Sequence, residues 1–202
     1  MKTKTPPSTV RVLSFLLISV ATAAAQQGVP VHFSGPINDY SPASVKGGPW
    51  EMHGQWSLDI HRESGTADFF ADMTMSDYGT TGGMVDATIA GQNPHTHHIK
   101  LTSAEIVWDM TGCPPVSPAA KMGFHLSGTV TLLTGNGSNA PFETTPPSST
   151  LQVCVTGGDE IPYSFPNSNI TMVFGAPATG HFGTQPIHGA VRVASADPRG
   201  DN

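Results

Sequence analysis

Three of the nine histidines in this 202-residue chain lie within four consecutive positions, His95-Thr96-His97-His98. An apolar alternation follows them, which predicts that the cluster begins a β-strand. Because side chains alternate along a strand, His95 and His97 share one face, about 6–7 Å apart, and His98 takes the other. Neutral imidazole nitrogen binds zinc, copper, iron and nickel, so the pair predicts two ligands of one transition-metal ion.

A metal centre with a position open for a small-molecule ligand takes about three protein ligands. We expect His181 to supply the third ligand. His188 or His98 would then act as a fourth ligand, or would support the ligands by hydrogen bonding. Copper and zinc are the metals we expect. Two alternatives stay open: histidines that only form hydrogen bonds, and acid–base chemistry without a metal.

The rest of the sequence is typical of many short strands joined by turns. It contains 22 glycines and 18 prolines, and no long stretch shows the 3.6-residue apolar period of a helix. We expect about eight or nine strands. The fold class is therefore all-β, either a single antiparallel barrel of the lipocalin or allene-oxide-cyclase type or a jelly-roll sandwich.

Two alternating segments, 55–61 and 66–75, predict an antiparallel hairpin. Such strands turn one face inward, and we expect Trp56, Phe69 and Trp108 to line the interior. If that interior is open, the protein would be a metal-free binder of apolar ligands. A third possibility is a cell-envelope adhesion or structural module, which needs a filled barrel and no converging polar groups.

The N-terminus has the order of a secretory signal peptide. Three basic residues precede a short apolar run at 12–20, and the small residues Ala23 and Ala25 come just before Gln26. A bilayer-spanning helix needs roughly 20 apolar residues, about twice this run. We therefore expect cleavage after about residue 25, no membrane span, and a secreted or periplasmic protein.

The rest of the chain divides into three regions in this interpretation. Residues 26–50 contain several prolines and glycines and predict a mostly irregular N-terminal arm with room for one short strand near Val31–Phe33. Residues 51–195 form the β-barrel domain, and 196–202 form a flexible tail. Within the barrel, the Gly- and Thr-rich stretch 78–93 predicts a long loop directly before the histidine cluster.

The charge of the chain excludes one class of partner. All 15 acidic residues, but only six of the nine Lys and Arg, follow residue 25. The chain without those 25 residues therefore carries a formal charge of −9. Nucleic acid and anionic membranes attract the opposite sign, so we expect neither as a partner and favour a small-molecule ligand.

The chain contains two cysteines, Cys113 and Cys154. In an oxidising compartment a disulfide between them is the default expectation, and it would close a loop of about 40 residues. A pair of thiolate metal ligands is the alternative, but the two positions lack the Cys-x-x-Cys unit of many such sites.

Two motifs carry a resemblance to a known family, His95-Thr-His-His-Ile99 and His181-Phe-Gly-Thr-Gln-Pro-Ile-His-Gly189. Together with Ala67-Asp68-Phe69 upstream, they resemble a group of exported bacterial and fungal all-β proteins of unassigned function. The resemblance covers most of the chain after the signal peptide. It implies that the two histidine motifs belong together and supplies no activity.

Two other families share parts of this pattern. Copper/zinc superoxide dismutases carry a His-x-His unit, a His-Phe…His-Gly unit and a disulfide on a β-barrel. Their two units are close neighbours, whereas here they lie about 80 residues apart, and Gly-Thr follows His181-Phe182 where that family has Asn-Pro. Cupins place a glutamate a few residues after the His-x-His unit, and Glu105 is too distant. No residue roles carry over from either family.

Overall fold

The structure, a computed structural model, describes residues 32–45, 49–77, 95–115, 120–136, 149–158 and 164–195. The expected signal peptide, the expected loop at 78–93 and the expected tail at 196–202 all lie outside these residues. Among the residues that are described, no helix is long and apolar enough to cross a membrane.

The described chain is almost entirely β-structure. The strands are β1 (His32–Tyr40), β2 (Trp50–His61), β3 (Thr66–Asp77), β4 (His95–Val107), β5 (Ala120–Thr129), β6 (Leu132–Asn136), β7 (Thr150–Gly158), β8 (Ser164–Phe174), β9 (Ile187–Ala190) and β10 (Val193–Ser195). One short helix, α1 (Thr179–Phe182), separates β8 from β9.

Eight antiparallel strands close into a barrel. The order is β1-β2-β3-β4-β5-β7-β8-β9, and β9 pairs back onto β1, where Gly189 lies opposite Ile37. β10 also pairs with β1, and β6 pairs with β4. The all-β prediction is thus confirmed, and of the two architectures considered the chain adopts the barrel.

β5 and β6 act as two halves of one broken strand against β4. Ile106 lies opposite Leu126 of β5, and Thr96 lies opposite Asn136 of β6, which is the same register on both halves. The break falls between Thr129 and Leu132. As a result β4 is paired on both sides at the end that carries His95 and His97, and the histidine strand is held rigidly.

The inward side chains form one continuous apolar core. An eight-stranded barrel has an interior just wide enough for its own side chains. Trp56 and Phe69, which we expected to line the interior, do face it and are fully buried in this core. The filling favours a packed barrel over the open interior of an apolar-ligand binder.

Trp108 does not line the interior, contrary to the expectation. β4 ends at Val107, and Asp109 Oδ1 accepts a hydrogen bond from the Thr111 backbone N–H in the turn that follows. Trp108 is 51% exposed, and its ring lies over Phe124 with 5.2 Å between the ring centroids. The turn therefore carries the indole outside the barrel, where it covers one end of the core.

A β-bulge in β4 changes which residues face the core. Ser103 has a left-handed φ of 51° and its N–H donates to Asp68 Oδ1 at 2.7 Å. Before the bulge the odd positions up to Leu101 point inward, and after it Ala104 begins an inward series at even positions. One 13-residue strand therefore looks like two shorter alternating segments in the sequence.

The N-terminal arm is more regular than we expected. β1 occupies residues 32–40 of the predicted irregular region and supplies the strand that closes the barrel. Gly35 and Pro36 interrupt its apolar alternation, which is why the pattern predicts only a short strand near Val31–Phe33 and not the full length of β1. Pro36 lies where β1 changes partner from β10 to β9, a position that tolerates a missing backbone N–H.

The predicted disulfide between Cys113 and Cys154 is present. Cys154 lies on the outer face of β7, opposite His125 of β5. Cys113 belongs to the segment that follows Trp108, so the bond ties this segment to the outside of the barrel. The neighbouring His125 Nδ1 lies 3.1 Å from the Asp109 carbonyl oxygen, a second contact between the same segment and the barrel wall.

Candidate metal centre

β4 places His95 and His97 inside one end of the barrel. The strand alternation brings both to the inner face, where their exposures are 3% and 0%. On β3 the residues directly opposite are Met75 and Met73, and on β6 the residue opposite His97 is Gly135. Gly135 therefore places no side chain against the His97 imidazole from β6.

The short helix α1 brings His181 to the same end. Phe182 is buried and stacks on Phe174 of β8, with 4.7 Å between the ring centroids. This contact anchors α1 against the core, and the preceding residue, His181, then lies over the β4 pair. Backbone N–H groups of His181 and Phe182 donate to the Ala178 carbonyl oxygen at 3.0 and 2.9 Å, which fixes the turn.

Gly183 ends α1 in a conformation that favours glycine. Its φ is 90°, and a Cβ at this position would lie 2.6 Å from Pro42 Cδ. The chain therefore passes close to the segment between β1 and β2, and this close approach holds α1 against the barrel end. The second histidine motif thus contains the last two residues of the helix, including its anchor Phe182, and the glycine that ends it.

The three imidazoles form a nearly equilateral triangle. The ring centroids of His95, His97 and His181 are 4.9 to 5.0 Å apart in all three pairs. The Nε2 atom of His181 lies 3.0 Å from that of His95 and 2.9 Å from that of His97. One possible ligand atom from each residue falls within 4.8 Å of the others. We call this group the histidine triad.

Hydrogen bonds between these rings do not pair all three Nε2 atoms at once. A neutral imidazole Nε2 has either one hydrogen or one lone pair. Nε2 of His181 faces two partners and completes only one good hydrogen bond with them. A metal ion at the centre would accept all three lone pairs at once, so the arrangement suits a cation better than it suits three rings alone.

The triad is electrostatically prepared to bind a cation. Burial lowers the pKa of His181 from its ordinary 6.5 to about 4, and the charge that a protonated His95 would place beside it adds to the shift. The His181 imidazole is therefore neutral at pH 7. A neutral ring offers its lone pair to a metal without first losing a proton.

The spacing of the nitrogens fits a small transition-metal ion. Bonds of about 2.0–2.1 Å from zinc to tetrahedral ligands set the nitrogens roughly 3.3–3.4 Å apart. The Nε2 atom of His181 lies 3.0 Å from that of His95 and 2.9 Å from that of His97. An outward movement of about 0.4 Å, within the reach of small imidazole rotations, would therefore accommodate zinc or copper.

Two aromatic residues that the sequence did not indicate surround the triad. Trp50 contacts His95 edge to face at 5.1 Å, and Phe182 contacts His97 in the same manner at 4.9 Å. Trp50 fell in the predicted irregular arm, so no pattern placed it on a strand. The position of Phe182 beside His181 was the one signal that linked an aromatic residue to the site.

His98 and His188 do not join the triad. His98 faces the outside of the barrel, as strand alternation requires, and its Nδ1 contacts Asp72 on β3. His188 is exposed on β9, and Asp39 Oδ2 accepts hydrogen bonds from its backbone N–H and its Nδ1 at 2.7 and 2.8 Å. His188, which we expected as a fourth ligand, therefore connects β9 to β1 instead.

The other histidines outside the triad behave like His98 and His188. Each contacts a carboxylate, and their exposed or outer-face positions separate them from the three inward rings. The pairs are His32–Asp59, His53–Glu51, His61–Asp68 and His125–Asp109. The nine histidines thus divide into six that contact carboxylates outside the inner face of the barrel and the three of the triad.

The far end of the barrel carries a different feature. Trp108 lines a shallow outer cleft with Ile60, Arg62, Gly65 and Ile106. β4 runs the length of the barrel from His95 to Val107, so this cleft and the triad lie at opposite ends of the same strand. The cleft therefore contributes nothing to the histidine site.

Comparison with known proteins identifies no match, so the function is inferred from the geometry of the site. No protein-family model, no curated protein and no solved structure matches the chain. The site itself provides three converging imidazoles beside the apolar core, and they are the one group of three or more His, Cys, Asp or Glu side chains placed to share a metal ion among the described residues. The function has to be consistent with this convergence of three histidines.

Proposed function

We propose that this protein is a secreted or periplasmic β-barrel that binds one transition-metal ion, copper or zinc, through the Nε2 atoms of His95, His97 and His181. The single observation that carries the proposal is the convergence of these three atoms, from two distant chain segments, to within 3.0 Å around His181. Three histidines are also the protein ligand set of carbonic anhydrase, a zinc enzyme.

The three ligands differ in how they are held. His95 and His97 are buried on a strand with a neighbour on each side, whereas His181 belongs to the short helix that covers the barrel end and is partly exposed. We infer that a small molecule would approach the metal along the exposed side of His181. A bound metal would supply Lewis-acid or redox chemistry at this position.

The two histidine motifs resemble those of a group of exported proteins, which implies that the motifs belong together, and the proposal unites them in one site. In the folded chain His95 and His97 of the first motif meet His181 of the second. Export also suits the disulfide between Cys113 and Cys154, because such bonds persist in oxidising compartments. The metal-free binder of apolar ligands is less well supported, since large core residues occupy the barrel interior.

Metal analysis of the purified protein tests the proposal. After chelation and reconstitution with Zn²⁺ or Cu²⁺, we expect one ion per chain. His97→Ala should weaken binding by more than about 100-fold, because even loss of a group that only supports a ligand costs about 10–100-fold. His181→Ala, at the partly exposed position, repeats the test with less risk to folding.

His98→Ala is the matched control. It removes an imidazole one residue from His97, on the same strand but on the outer face. We expect it to leave the stoichiometry and affinity unchanged. A wild-type protein that retains no metal after reconstitution, or His97→Ala and His181→Ala variants that bind as tightly as His98→Ala, would overturn the proposed function.

A further inference from the structure

Two buried methionines lie beside the triad. Met73 is directly opposite His97 and Met75 directly opposite His95 in the pairing of β3 with β4. All four side chains are on the inner face, and both methionines are 0% exposed. We call Met73 and Met75 the methionine pair.

The methionine pair lies within reach of a metal held by the triad. Directly opposite residues on one face of an antiparallel sheet have Cβ atoms about 4.5–5.5 Å apart. A methionine side chain is unbranched, with three rotatable bonds and a polarisable sulfur. Gly54 pairs with Met73 and Gly135 pairs with His97, so no further side chain flanks the Met73–His97 row on the neighbouring strands.

The possible donors at this end of the barrel are therefore soft or borderline. Imidazole and thioether groups are available, and the ligand group identified among the described residues contains no carboxylate. Thioether and thiolate sulfur select Cu(I), and in the general order of affinities for divalent ions Cu²⁺ exceeds Zn²⁺. The donor set favours copper over the harder divalent ions.

The surroundings of the triad favour the ion of lower charge. Trp50 and Phe182 contact the histidine rings, and the residues below them belong to the apolar core. The cost of burying an ion without a counter-charge grows with the square of its charge, so a divalent ion costs about four times as much as a monovalent one. Cu(I) is the monovalent ion among the metals that suit these donors.

We propose that the histidine triad and the methionine pair together form a Cu(I)-selective site, in which Met73 and Met75 provide thioether sulfur to the bound ion. This inference rests on the proposed function, because it assumes that the triad binds a metal. It goes further in naming the ion and in adding donors from β3. A packing role alone would make the methionine pair equivalent to leucine.

Affinity measurements with two metals separate these roles. Cu(I), kept reduced under anaerobic conditions, and Zn²⁺ are each titrated into the metal-free protein in competition with a chelator. The Met73→Leu/Met75→Leu variant should bind Cu(I) at least about 10-fold more weakly, while its Zn²⁺ affinity changes by less than about 3-fold. Copper X-ray absorption should show a sulfur neighbour in the wild type that this variant lacks.

Met172→Leu provides the matched control for packing. Met172 is equally buried on the inner face of β8, which pairs with neither β3 nor β4. We expect this substitution to leave both affinities unchanged. Equal losses of Cu(I) and Zn²⁺ binding in the double variant, unchanged Cu(I) affinity, or absorption spectra without sulfur would overturn the assignment of the methionine pair.

The outcomes also distinguish this inference from the proposed function. If Zn²⁺ binds through His97 but the methionine substitutions do not weaken Cu(I) selectively, the thioether donors are wrong and the metal centre stands. If His97→Ala and His181→Ala bind as tightly as the wild type, both the metal centre and the copper site are wrong.

Discussion

The histidine side chains of this protein occupy two different chemical environments. Six histidines contact carboxylates outside the barrel core, and three turn toward one another inside one end of it. His97 and His98 show the difference most directly, because they are adjacent on β4 and yet face opposite sides of the sheet. Burial favours the neutral form of an inward ring, and a neutral ring is the form that binds a metal.

The pKa of His181 predicts how acid affects the metal-free protein. The unfolded His181 takes up a proton below pH 6.5, whereas the folded residue does so only near pH 4. Acidification through this window therefore stabilises the unfolded state, and the contribution of His181 to stability is complete above pH 6.5. We expect the free energy of unfolding to fall by up to about 3 kcal/mol from pH 6.5 to pH 4 on this account.

Denaturant unfolding of the chelator-treated protein across this pH range measures the effect. His181→Gln keeps a polar side chain but cannot titrate, so its free energy of unfolding should depend less on pH than that of the wild type. His98→Gln removes an imidazole outside the barrel and should retain the inner contribution. An identical pH dependence in the wild type and His181→Gln would contradict this prediction.

At the scale of elements, the site depends on the closure between β9 and β1. β9 follows α1 directly, so the strand that completes the barrel also limits where α1 lies. Gly189 is opposite Ile37 at this closure, and the His188–Asp39 contact spans the same two strands. His188, which we expected as a metal ligand, thus supports the barrel closure that follows α1.

Gly189→Ala should destabilise the barrel by overpacking this closure. A Cβ at Gly189 would lie 2.6 Å from the Pro36 carbonyl oxygen and 2.8 Å from Ile170 Cγ2. Because the backbone of β1 is unable to retreat without losing its pairing, we expect a loss of about 1–3 kcal/mol in the free energy of unfolding. Equilibrium denaturation provides the measurement.

Gly180→Ala is the matched control for Gly189→Ala. Gly180 lies in α1, and a Cβ there would meet no atom within 4 Å beyond its chain neighbours and the backbone of α1. Alanine is the better helix former by about 1 kcal/mol at most, so stability should be unchanged or slightly increased. The closure argument is wrong if the two variants have the same stability.

For the whole molecule, the disulfide connects regions that the barrel pairing leaves separate. It joins Cys113, in the segment after β4, to Cys154 on β7, and it closes a loop with a sequence separation of 41. The loop includes β5 and β6, which complete the pairing of the histidine strand. The bond therefore restricts the unfolded chain over β5 and β6, the two strands that pair with β4 on one side.

A Cys113→Ser/Cys154→Ser variant should be less stable by about 4 kcal/mol, the chain-entropy value for a loop of this length. Thermal or denaturant unfolding, followed by tryptophan fluorescence, measures the loss. Metal affinity under native conditions should change little, because both cysteines lie outside the inner face that carries the triad. A loss below about 1 kcal/mol would show that the segment is held by its other contacts.

The sequence alone determined the local geometry of the site. Alternation on β4 placed His95 and His97 on one face and His98 on the other, because the period of a strand is two residues in any β-fold. The all-β class and the pairing of Cys113 with Cys154 also followed from composition and residue count. These properties depend on neighbouring residues or on the absence of alternatives, so they needed no knowledge of the fold.

Only the tertiary structure decided which distant residues complete the site. Whether His181 or His188 meets the β4 pair depends on how α1 and β9 pass over the barrel end, and Phe182, Gly183 and Asp39 settle that path through contacts between distant segments. Trp108 lies outside the interior for a similar reason, since β4 ends at Val107 and a turn at Asp109 follows. Contacts of this kind involve residues far apart in sequence, which no local period records.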